Sequence, residues 1–302
     1  ISALTIDDCA ITAVVGKNRQ GETQDTRAHA ALYATGALTV TNSEIKAGCH
    51  TKVALAGIAT LEGQSIALTN CRLALEAKLK TVAEEGYTGG SVRVLHTGDN
   101  SFGTITLKDC VGTIESVNGK DGKGYGIDIW YDGGITVSYE NCLTIDSCDL
   151  TVTGVQKAIL IKTIPTEGKA VDFRETETVT YGTAAGAADL TTKAPKDLTD
   201  ASWLNSQYVR ITPHIPVVTL NANGGTIADG KNVTTYTRGV GAKLPTASDI
   251  TRDGYTFTGW YTDEALNGAP VTEITKTDSG DKTFYAGWSL NEQFSLTPGA
   301  TY

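Results

Sequence analysis

Two neighbouring carboxylates, Asp7 and Asp8, stand beside Cys9 in the stretch "LTIDDCAITA". Such a pair can share out general-acid and general-base roles when its surroundings separate the two ionisations. A second candidate catalytic set is Arg93, His96, Asp128 and Asp132, which alternation would place on one strand face in neighbouring turns of the chain. A base beside carboxylates suits abstraction of a proton next to a sugar carboxylate, with Ca2+ as the metal that chemistry would need. The competing reading, a solvated polar face, is preferred, because such faces are normally charged. The histidines His29, His50, His96 and His214 are scattered with no CxxC or HxxxH spacing, so no metal site and no other cofactor is expected. GxxxxGK[ST], GxSxG and HExxH are all missing from the sequence. "NGKDGKGYG" (118–126) has too few carboxylates for a Ca2+ loop and opens no helix for a phosphate, so it reads as a flexible excursion.

The elements that would hold these residues come from a repeat. Copies begin at Leu4, Leu38, Ile66, Ile105 and Leu143, spaced 34, 28, 39 and 38 residues apart. Each is an apolar-x-apolar strand, two polar residues, Cys or Ser, and a second short strand. A further strand precedes most copies and ends near Gly ("AALYATG", "SVRVLHTG", "YGIDIWYDGG"). Three short strands per unit predict an all-β fold, a right-handed parallel β-helix of about five coils over residues 1–163, in which stacking completes what each strand lacks alone. Asp8, Asn42, Asn70, Asp109 and Ser147 then form a corner column, since Asn and Asp tolerate left-handed backbone. Cys9, Ser43, Cys71, Cys110 and Cys148 form the small inward column beside it, as reduced hydrophobes rather than disulfides. Cys49, taken as a loop residue, is the expected exposed thiol. One register alternative stays open, because "ITVSYENC" (135–142) resembles the phrase with two residues inserted. "LALEAKLKTVAEE" (73–85) is the one stretch with helical character.

The net charge of −9 and pI near 5.0 exclude phosphate-backbone binding, and no apolar run reaches a membrane span. The chain begins at Ile1 and holds no Met, as expected of a processed chain that has already lost any secretion signal. After 163 the repeat stops, so 164–216 reads as a cap and connector, followed by a small β-rich module at 217–289 and a tail at 290–302.

Within the module, Asn223-Gly224-Gly225, Leu244-Pro245, "GYTFTGWY" (254–261) and "YAGW" (285–288) occur in order. Through these residues it resembles the Listeria–Bacteroides repeat, also called the internalin B-repeat. The resemblance implies a β-grasp-like fold and a place in bacterial secreted or cell-surface proteins, as a stalk or adhesion repeat, and transfers no catalytic residue. "LPTAS" (244–248) departs from the LPxTG wall-attachment signal, so Pro245 reads as a turn residue. The N-terminal part is similar to pectin-lyase-like β-helix surface proteins, a class that includes lyases and galacturonan hydrolases, but the hydrolase elements GHG and RIK are missing.

The reading that results is a non-enzymatic, extracellular or envelope-attached protein whose partner is a glycan or a host or cell-surface protein. Its ligand would rest on outward residues Tyr33, Leu95 and Trp130, with Leu32, Val94 and Ile129 inward. Alternatively, the loop 16–21 or 84–90 covers that face. A polysaccharide lyase or glycoside hydrolase acting on acidic glycans, and a structural spacer, are the rival functions.

Overall fold

Each repeated phrase is a strand, a sharp corner and a second strand, and equivalent strands lie side by side. The computed structural model describes residues 3–15, 30–51, 56–60, 64–79, 92–96, 103–117, 123–129, 142–161 and 171–291. The chain divides into two units after His214. Among the described residues the structure is all-β, apart from two short 3-10 turns at Pro195–Asp197 and Ser202–Asn205.

In the first unit the chain visits three sheets in rotation. The first holds β1 (Ala3–Asp7), β4 (Ala37–Thr41), β7 (Ile66–Thr69), β10 (Ile105–Lys108), β13 (Leu143–Asp146) and β16 (Val171–Arg174), all parallel and in that order. The second begins with β2 (Ala10–Val15), β5 (Glu44–Thr51), β8 (Arg72–Leu79), β11 (Val111–Ser116) and β14 (Asp149–Thr153), also parallel. The third holds β3 (Ala30–Ala34), β6 (Ala56–Thr60), β9 (Val92–His96), β12 (Gly124–Ile129) and β15 (Lys157–Ile161). Leu38, Ile66, Ile105 and Leu143 are in register and fully buried, as are Val40, Leu68, Leu107 and Ile145. Each such side chain contributes about 1.5–3 kcal/mol of burial free energy. The stack is therefore held by files of like residues that no single strand could bury.

Several expectations are corrected here. Residues 73–79 are strand, not helix, and Cys49 lies within β5 rather than on a loop. Residues 124–126 of the supposed flexible excursion open β12. Leu143 pairs with Ile105 and Val171, so "LTIDSCDLTV" is the copy that belongs to the first sheet, and "ITVSYENC" before Cys142 lies outside the described residues. The repeat also continues past 163. Val171 and Phe173 align with Leu143 and Ile145, and a sixth corner follows at Glu175, where φ is +43°. Glu175 and Thr176 replace the Asx–Cys signature, which is why this copy was hidden.

After that corner the parallel stacking ends. β17 (Thr176–Gly182) does not pair with β14. Instead β19 (Tyr208–Pro213) inserts between them, antiparallel to both, and β18 (Thr191–Lys193) closes the edge beside β17. Trp203 and Leu204 are buried in the same core, with the Trp203 ring 5.7 Å from Phe173. A parallel edge that would template further strands is thereby turned into a closed antiparallel one.

In the second unit, Val218–Asn221 pairs parallel with Lys282–Leu290, which pairs antiparallel with Tyr255–Tyr261. Strict alternation would put Trp260 on the Thr256 face. A bulge between Phe257 and Gly259 shifts it, so that Trp260 is buried with its ring 5.6 Å from Phe257. The indoles of Trp260 and Trp288 donate to Pro245 O (2.8 Å) and Ala222 O (2.9 Å). Pro245 is thus a buried partner of a core tryptophan, and "LPTAS" is a packing element.

Candidate functional site

The Asp7–Asp8 pair belongs to the corner. Asp8, Asn42, Asn70, Asp109 and Ser147 all have φ between +50° and +54°. Each donates its backbone N–H to the next coil, as Asn70 does to Lys108 O at 2.8 Å. The side chains form a polar ladder: Asn70 Nδ2 donates to Asn42 Oδ1 (2.9 Å), and Asn42 Nδ2 to Asp7 Oδ1 (2.8 Å). Thr41 and then Asn42, by hydrogen bonding, hold the Asp7 carboxyl below the usual aspartate range. The Asp7 carboxylate is thus a hydrogen-bond acceptor at the head of the ladder, and Asp8 supplies the left-handed corner.

The inward residue after each corner does more than fill space. Cys9, Ser43, Cys71, Cys110, Cys148 and Thr176 each donate a γ S–H or O–H to the carbonyl two residues back, at 2.6–3.4 Å. That carbonyl sits at the bend, and from Thr41 O to Arg174 O it already accepts the preceding coil's corner N–H, so the small γ-donor adds a second bond from inside. The described cysteines Cys9, Cys71, Cys110, Cys142 and Cys148 form no disulfide, and Cys9 is the exposed one among them. The Cys49 side chain lies outside the described residues. The neighbouring Cys148 thiol, together with burial, pushes Cys110 up to about 12, and burial pushes Cys142 up to about 11. Cys71 is likewise raised by the Cys110 thiol and by burial.

The third sheet brings only part of the second candidate set together. Asp128 is in register with His96, but Arg93 is in register with Tyr125, three positions away on the strand. Asp132 and Trp130 lie outside the described residues, as do the loops 16–21 and 84–90. Asp128 is fully buried, and every other residue of β12 is buried. The expected ligand face is corrected too. Leu95 aligns with the fully buried Ile58 and Ile127, whereas Tyr33 aligns with Ala59, His96 and Asp128. Tyr33, 44% exposed at one end of that file, is its accessible member among the described residues. Aligning these strands on their trailing Gly misplaces β9 by one residue and β12 by two.

A site that the sequence reading missed lies on the outer face of the second sheet, where the parallel strands meet the cap. It is a groove of about 500 Å3. Thr113 and Thr151 form one row of its floor, and Glu115, Thr153 and Tyr208 the next. One wall is the turn 183–185 after β17, and the other is Val155 with Gln207. The walls are tied down. Gln207 Nε2 donates to Val155 O (2.5 Å), Gly154 N to Gln207 O (2.9 Å), and Thr183 Oγ1 to Asp189 Oδ1 (3.0 Å). Thr153 Oγ1 is shielded and has no hydrogen-bond partner among the described residues. "DLTVT" announces outward threonines, but the antiparallel strand that turns them into a groove comes from 55 residues further on.

Among the described residues there is no cluster of three or more metal-ligating side chains, and no helix is long and apolar enough to cross a membrane. Residues 217–287 match the family model of the Listeria-Bacteroides repeat domain, a domain typical of surface-associated bacterial proteins. No curated protein and no solved structure matches the chain.

Proposed function

We propose that this is a non-enzymatic bacterial surface protein, a right-handed parallel β-helix followed by a β-grasp-like spacer, which mediates adhesion by binding polysaccharide outside the cell. The observation that carries the reading is the matched module and the path of the chain through it. Its first and last strands run parallel, with Val218 opposite Lys282 and Asn221 opposite Tyr285, and the last strand continues to Leu290. The chain therefore enters at one end of the sheet and leaves near the other, spanning about 30 Å over nine strand residues. That geometry suits a link in a stalk. Three parallel sheets visited in rotation support the helix assignment, and the right hand follows from the strong preference of parallel crossovers.

The complete burial of Asp128 speaks against the lyase alternative, since a carboxylate shut off from solvent cannot hold Ca2+ against a sugar carboxylate. The binding role requires no cofactor. Protease shaving of intact cells that make the protein tests the surface assignment, with release of peptides from 217–287 as the expected result. Release only after lysis would refute it.

A further inference from the structure

Resting on the polysaccharide-binding reading, we propose that the groove between the second sheet and its cap binds a short run of uncharged pyranose sugars. Its volume of about 500 Å3 falls within the roughly 300–1,000 Å3 typical of small-molecule sites. The floor chemistry is specific. Threonine hydroxyls both donate and accept, which is the pattern that sugar hydroxyls require. In-register rows place Thr113 beside Thr151, and Glu115 beside Thr153, about 4.8 Å apart along the pairing direction. Tyr208 continues the second row and adds an aromatic ring against which a sugar face can pack.

Charge sets the class. Among the described residues, Glu115 is the one carboxylate lining the groove, and no Lys or Arg lines it. Arg210, in register with Thr151, is committed to an ion pair with Asp149 and to a hydrogen bond with Leu150 O (3.2 Å). A uronate, sulfate or phosphate would meet an uncompensated negative charge, whereas a sugar diol can donate two hydroxyls to one carboxylate. The unmatched Thr153 hydroxyl is a second, independent sign, because a shielded polar atom costs free energy until a partner arrives. The bonds holding Gln207 and Thr183 leave the walls preformed, so little ordering is needed on binding.

Affinity electrophoresis of the whole protein through gels containing a soluble β-glucan, a mannan or polygalacturonate tests the proposal. Retardation by a neutral polymer and not by polygalacturonate is the expected result. Glu115→Gln and Thr151→Val sit on exposed or half-exposed strand positions where the fold tolerates them, and each should weaken retardation about tenfold or more. Thr39→Val, on the first sheet, should leave it unchanged and control for folding. Neutral-polymer binding that survives both groove variants overturns the groove but leaves polysaccharide binding standing. Binding confined to polygalacturonate overturns the sugar class, and no retardation by any polymer overturns both readings.

Discussion

Replacing Cys110 separates two accounts of the inward column. If the thiol were merely a small apolar filler, Ala would be the mild substitution and Ser the harsh one, because burying a hydroxyl without a partner costs about 1–3 kcal/mol. The structure reverses that order. Cys110 Sγ lies 3.3 Å from both Lys108 O and Leu68 O of the preceding coil, and its one proton serves either carbonyl. Ser43 makes the equivalent bond to Thr41 O at 2.6 Å in its own buried position. Lys108 O also accepts from Asn70 N–H, so Cys110→Ser should keep the carbonyl's second bond and cost no more than about 1 kcal/mol. Cys110→Ala forfeits that bond, worth about 1 kcal/mol, and leaves a void worth about 1 kcal/mol more. Urea unfolding read by pulse alkylation of Cys71 and Cys148 reports this unit separately from the C-terminal one. An alanine variant as stable as the serine variant, or more so, would refute the carbonyl-capping role.

Three further outcomes follow from the same geometry. Because only the thiolate alkylates, Cys110 and Cys142, pushed up to about 12 and 11, should stay unlabelled at pH 9 while exposed Cys9 is labelled; peptide mass spectrometry locates the adducts. Asn70→Ala should cost roughly 2 kcal/mol in urea unfolding, combining left-handed strain at φ +52° with the lost bond to Asn42, while Asn70→Gly should lose mainly the bond. Gly225→Ala would place a Cβ 2.3 Å from Trp288 Cζ2, so tryptophan fluorescence should report selective loss of the C-terminal unit, with the first unit's thiol protection unchanged.

How far the sequence could be read depended on whether a feature is local. The corner column was legible because Asp8, Asn42, Asn70 and Asp109 each carry their own conformational reason, left-handed backbone, in a fixed position beside Cys or Ser. The module was legible because Asn223, Gly225 and Trp260 each satisfy a steric or hydrogen-bonding demand that few other residues meet. The sixth corner escaped because Glu175 and Thr176 satisfy the same backbone with different residue types.

By itself, the sequence determined the all-β class, the period and the inward files, since alternation and the bend chemistry act within a few residues. Register in the third sheet was decided only by the tertiary structure, which set His96 rather than Leu95 beside Tyr33's file. The groove is likewise a product of long-range pairing, because β19 reaches β14 from far along the chain and neither strand alone encodes a cavity. A strand's own residues specify which way they point, but what stands opposite them depends on loop lengths and on free energy summed over the whole stack.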